Sequence, residues 1–151
     1  MTVLLDTNIL TRLALPTHPK HATARDAVAA LQRSGETLRL VPQNCYEFWV
    51  VATRPIAANG LGFTAPQADA ELTRFEGLFP LLTDTPALCA EWRRLVVASS
   101  VLGKNAHDAR LVAAMLTHGV THLLTFNVAD FTRFTGITVL DPNTIAIPPT
   151  P

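Results

Sequence analysis

The chain has 151 residues, the size of one domain, which buries roughly 70% of its unfolded surface and needs no disulfide or metal staple to fold. Twelve basic side chains balance twelve acidic ones, so a global basic field for nucleic acid is excluded and any such contact has to be local. Apolar residues make up 48% of the chain and the mean hydropathy is +0.25, a composition that favours an apolar interface with a second copy or a partner.

Taken in chain order, residues 2–5 (TVLL) form a short continuous apolar run, the pattern of a strand buried on both faces. Asp6, Thr7 and Asn8 end it and start a short helix that stops near Pro16. Residues 20–34 read as a second helix, with Ala24, Ala27, Val28 and Leu31 on its apolar stripe and Gly35 closing it. A strand is predicted over 37–41 and a helix over 43–53, ending before Pro55. A loop of Gly and small residues covers 55–65, and Pro66 opens a helix to Phe79. Residues 81–83 read as a third strand. Thr85 and Pro86 form an N-cap and first-turn pair for a helix reaching Val101. Ala106 to His118 is helix, Gly119 its C-cap, and 122–125 and 137–140 are two further strands.

Alternating strands and helices predict an α/β fold: one three-layer domain over 1–147 with a parallel sheet of about five strands, followed by a frayed Pro-rich tail at 148–151. Leu111 to Ala129 carries no charged side chain, but Gly119 divides it into a helix end and a strand, so it reads as core and no membrane segment is expected. No secretory signal is expected either, because Asp6 interrupts the first apolar run. Cys45 and Cys89 read as buried free thiols in a reducing cytoplasm.

Four acids stand out from this apolar background: Asp6 in VLLDTNIL, Glu47 in QNCYEFWVV, Asp108 in AHDARLVAAM and Asp130 in LLTFNVADF. A carboxylate among core-forming residues is costly without a partner. Asp6 closes the first strand, and Asn127 and Asp130 follow the fourth, so both lie at carboxyl ends, where open parallel sheets build their sites. Asp108 shares the helix face of Val112, Met115 and Leu116. Each acid also has an ordinary reading, as a helix cap or a complement to a helix dipole. Converging, they would demand a cation, and oxygen-only ligands select a hard one, Mg²⁺ or Mn²⁺. Gly60 to Ala65 fits a dinucleotide fingerprint but follows a helix, which removes its context. Asp6-Thr7-Asn8 lacks the second acid of an aspartyl-phosphate motif.

At these residues the chain resembles the PIN-domain nucleases and, within them, VapC-like toxins of toxin–antitoxin pairs. LLDTNIL matches the opening motif, Glu47 in NCYEFWVV the helix glutamate, HDARLVAAM the third motif and LLTFNVADF the fourth, in which Asn127 stands where Asp is frequent. The stretch from Glu47 through ATRP and NGLG is similar to one VapC-like subgroup. The resemblance implies Mg²⁺- or Mn²⁺-dependent cleavage of RNA to 5′-phosphate and 3′-hydroxyl ends, in the cytoplasm, by a homodimer held in check by a cognate antitoxin. It implies catalytic and metal-binding roles for Asp6, Glu47, Asp108 and Asp130, with Asn127 as a neutral ligand. Thr7, Asn8 and Thr125 are then candidates for orienting the acids, and Arg12, Arg54, Lys104 and Arg110 for holding RNA. Two other readings remain open: a non-catalytic RNA- or protein-binding module, and a housekeeping RNA-processing nuclease without an antitoxin.

Overall fold

The computed structural model describes residues 1–145. Four short strands, β1 (Thr2–Leu5), β2 (Thr37–Arg39), β3 (His122–Leu124) and β4 (Thr138–Leu140), pair in the order β2-β1-β3-β4, all parallel. β1 lies inside the sheet with a neighbour on each side, which is why its run is apolar without alternation: Val3, Leu4 and Leu5 are all fully buried. Val3 and Leu5 face one core and Leu4 the other, as the two-residue period of a strand requires.

On the first face pack α1 (Thr7–Ala14), α2 (His21–Arg33), α3 (Pro42–Thr53) and α4 (Ala65–Leu78). Phe48 of α3 meets Phe75 of α4 edge-on, with centroids 5.5 Å apart. α4 starts on a capping box that the sequence reading passed over: Thr64 Oγ1 accepts from the Gln67 N–H, and Gln67 Oε1 from the Thr64 N–H. On the second face lie α5 (Leu88–Ala98), α6 (Asn105–Thr117) and the short α7 (Val128–Phe131), around Leu95, Val112, Met115 and Phe131. A last turn, α8 (Pro142–Ile145), follows β4. The three-layer α/β architecture is the expected one.

Two expectations are corrected. The sheet has four strands where about five were expected, because residues 81–83 make only a single parallel bridge, Leu81 to Leu40. Pro80 offers no N–H to extend that ladder, and Thr83 is already exposed. Thr85 and Pro86 do not cap α5. Residues 86–87 form a turn closed by the Leu88 N–H on the Thr85 carbonyl at 3.1 Å, and the Thr85 hydroxyl is buried without a partner. Among the described residues no helix is long and apolar enough to cross a membrane. The tail at 148–151 lies outside the described residues.

Strand order decides where a site can form. From β1 the chain moves to β2 on one side and later returns to β3 on the other, so the carboxyl ends of β1 and β3 flank the point where winding reverses. Asp6 follows the first of these strands and Asn127 the second.

Candidate functional site

A cleft of about 310 Å³ opens at that point, lined by Asp6, Glu47, Asp108 and Asn127, with Arg12 and Asn59 at its edge. β1, α3 and α6 therefore each deliver one carboxylate to the same depression. Asp130 stands apart: it is exposed on α7 and outside the lining, yet its charge acts on Asp108.

Asp6 is held most tightly. It is only 8% exposed and caps α1, its Oδ1 accepting the Thr7 N–H at 2.7 Å. The fully buried Thr125 donates its hydroxyl to Asp6 Oδ2 at 2.7 Å. Asn8 adds a longer bond to the same oxygen at 3.3 Å, donates to Thr125 Oγ1 at 3.1 Å and accepts the Phe126 N–H at 3.3 Å. The Asn127 N–H also donates to Thr125 Oγ1, at 3.0 Å. Thr125 thereby locks the carboxyl ends of β1 and β3 around one carboxylate. Thr7 also lines the cleft, and its hydroxyl accepts from Asn44 at 3.3 Å.

Sequence reasoning missed two residues, Gln43 and Asn44. Both are polar, both are buried, and they stand side by side at the start of an otherwise apolar helix. Asn44 Oδ1 accepts the Val41 N–H at 2.8 Å, and its amide donates to the Leu5 carbonyl at 3.0 Å, fastening α3 to the end of β1. The Gln43 amide bonds to Glu47 one turn on and donates to the His107 carbonyl at 2.8 Å, while its oxygen accepts from Arg110 at 3.0 Å. Glu47 and the first turn of α6 are thus tied together through one side chain. The only signal in the sequence was the four-residue spacing of Gln43 and Glu47 on one helix face.

Burial, joined by the charges of Glu47 and Asp108, drives the carboxyl of Asp6 up to about 6 against the bonds from Thr125 and Thr7. Burial likewise raises Asp108 to about 6, with Asp130 and Glu47 adding to it and His107 and Arg133 opposing. Holding Asp6 ionised at pH 7.5 costs the fold on the order of 2–3 kcal/mol. A positive charge placed among these carboxylates would relieve that cost. Among the described residues no three Asp, Glu, His or Cys side chains close on one point as a finished ligand set. Mg²⁺ keeps several waters and takes one or two carboxylates plus substrate oxygens, so it does not require such a set. Zinc, which wants a closed set of nitrogen and sulfur ligands, is a poor match for these oxygens.

Of the basic residues, Arg12 lines the cleft and its Nε is buried without a partner. Arg110 is engaged by Asp84 at 3.0 Å as well as by Gln43, and faces a neighbouring pocket. Arg54, the C-cap of α3, and the exposed Lys104 lie outside the cleft lining. Cys89 is exposed on α5 and Cys45 only half-buried, which corrects the expectation of two buried thiols: Cys89 borders an open cavity, so its apolar neighbours Leu88 and Trp92 do not cover it.

A family model described as the PIN domain matches residues 3–136, nearly the whole cleft-bearing fold. The chain belongs to the PIN-domain family. No curated protein sequence matches it at a significant level. Solved structures of the same fold include a chain of VapBC2 from Rickettsia felis, bound to a promoter DNA fragment, with 14% identity and a TM-score of 0.72 over 93% of this chain and 98% of that one. DNA-bound VapBC from Salmonella typhimurium is similar at 16% identity and a TM-score of 0.67, covering 94% and 98%. VapC20 from Mycobacterium tuberculosis, a sarcin–ricin-loop-cleaving toxin, aligns at 18% identity and a TM-score of 0.58, covering 80% and 86%. At these identities the likeness is one of fold alone.

Proposed function

We infer that this PIN domain is a Mg²⁺- or Mn²⁺-dependent endoribonuclease that acts as the toxin of a toxin–antitoxin pair. The observation that carries the reading is the delivery of Asp6, Glu47 and Asp108 by three separate elements to one cleft at the switch point of the sheet. Asp6 and Asp108 would hold the cation, with Glu47 and Asn127 across the cleft and Asp130 flanking Asp108. What the ion supplies when bound is a more acidic water and a positive charge that offsets the phosphodiester. The chain's own residues do the rest. Thr125, Asn8 and the Thr7 N–H fix the direction of the Asp6 oxygens. Gln43 holds Glu47 against α6. Arg12, on the cleft wall, is the nearest cation for a phosphate.

The toxin assignment rests on the VapC-type fold and on the VapBC complexes in which similar chains were solved. A cognate antitoxin is proposed on the same likeness, and a homodimer on the apolar composition of the chain. Tyr46, Trp49 and Val50, exposed on α3 beside the cleft, offer apolar surface to such a chain. The deciding test is RNA cleavage with purified protein: Mg²⁺ or Mn²⁺ should support it and EDTA abolish it. Activity that survives exhaustive chelation would exclude the metal mechanism. Asn127 gives a second test. Asn127→Asp adds a fourth carboxylate to the lining and should tighten Mn²⁺ binding without RNA; unchanged affinity by calorimetry would remove Asn127 from the ligand set.

A further inference from the structure

A second cavity, of about 540 Å³, lies between α5 and α6 beside the acidic cleft. Pro86, Trp92 and Ala106 form its apolar walls, while Cys89, His107 and Arg110 stand on its rim. Trp92 is fixed there, because its indole N–H donates to the Ala106 carbonyl at 2.9 Å. A groove of about 380 Å³ joins the two depressions, sharing Glu47 with the cleft and His107 and Arg110 with the cavity. On α6 the positions 106, 107 and 110 make one flank and Asp108 the next, so acids and cavity lie within about one helix diameter, ~10 Å. Gln43 is the wall between them, bonded to Glu47 on one side and to Arg110 and the His107 carbonyl on the other.

Mostly apolar walls with an aromatic ring, and a rim carrying a guanidinium and an imidazole, suit a flat heteroaromatic group that stacks through its faces and hydrogen-bonds through its edges. Continuity with the acidic cleft selects a group attached to the nucleic acid presented there. We propose that this cavity receives one unstacked base of single-stranded RNA, next to the phosphodiester held over the acids, and so sets base preference at the cleavage site. The proposal rests on the nuclease reading above. His107 and Arg110 address the base edge, and Gln43 links its arrival to the position of Glu47.

Cys89 makes the cavity testable. Burial and Glu76 push the Cys45 thiol up to about 11, and Cys45→Ala removes it altogether, leaving Cys89 for a bulky aromatic maleimide. In an Asp108→Asn background, which binds without cutting, filter binding of a short mixed-sequence single-stranded RNA should weaken at least about tenfold on labelling, the value of losing one stacked base. The same label on the outward Val97→Cys, with Cys89→Ala, should leave affinity unchanged. Labelled protein that keeps its affinity overturns the proposal. Should the label unfold the protein, photocrosslinking of unlabelled Asp108→Asn to 4-thiouridine RNA decides: crosslinks at Cys89, Trp92 or His107 support it, and crosslinks confined elsewhere overturn it. RNA left intact by wild-type protein and Mg²⁺ would instead sink the nuclease reading and, with it, the cavity's place beside a scissile bond.

Discussion

Asp108→Asn is expected to cut RNA cleavage by at least about 100-fold while raising the melting temperature of the metal-free protein at pH 7.5. The two effects share one cause. Asp108 stands half-buried, and burial, joined by the charges of Asp130 and Glu47, raises its carboxyl to about 6. Between the unfolded value of 3.8 and about 6, the folded state holds more protons than the unfolded one, so stability falls as pH rises through that window. Above it the penalty is complete, and the neutral amide escapes it. Among the described residues the Asp108 carboxylate accepts no side-chain or backbone hydrogen bond, so the amide loses no partner on substitution. The stability gain should therefore shrink as pH is lowered toward 4, where the wild-type carboxyl is protonated. Thermal melts in EDTA at several pH values, beside a cleavage assay in Mg²⁺, separate the readings. A variant with full activity would reduce Asp108 to a complement of the α6 dipole. A variant less stable at every pH would show that its carboxylate supports the fold.

Much of this was legible in the sequence, because the strongest local signals are apolar runs and the polar residues that interrupt them. TVLL could only be an interior strand, and an acid at its end could only face the crevice or the solvent. Convergence was not local. It required β3 beside β1, and that neighbour relation is set by packing on two faces at once. For the same reason residues 81–83 misled: their composition suits a strand, but a strand also needs a partner, and of these residues only Leu81 forms a bridge, to Leu40. Thr85 and Pro86 carried the local signal of a helix start and were overruled by the turn ahead of α5. Gln43 and Asn44 were passed over for the opposite reason, the spacing of Gln43 and Glu47 being their one signal. In a helical stretch a polar pair reads as solvent-facing, and only the fold reveals that their partners are Leu5, Glu47 and His107.

Thr125→Val offers the sharpest test of how Asp6 is held. The substitution is nearly isosteric, yet it removes a hydroxyl that donates to Asp6 Oδ2 and accepts from Asn8 and the Asn127 N–H. A hydrogen bond to a buried carboxylate contributes about 1.5–3 kcal/mol, and the stranded donors add to the loss. The expected result is a destabilisation on the order of 2–4 kcal/mol at pH 7.5, with cleavage down about 10- to 100-fold as the Asp6 oxygens lose their direction. The pH dependence carries the mechanism. The Thr125 bond works to lower a carboxyl that burial has raised to about 6, so without it the Asp6 proton is held to still higher pH. Below about pH 5 Asp6 is protonated in both proteins, and only the neutral bonds separate them. Above about pH 6 the wild type ionises Asp6 against a donor that the variant lacks, so the gap in melting temperature should widen as pH rises from 5 to 8. A gap that stays constant across that range would mean that Thr125 supports the β1–β3 junction alone and leaves the charge on Asp6 to its other partners.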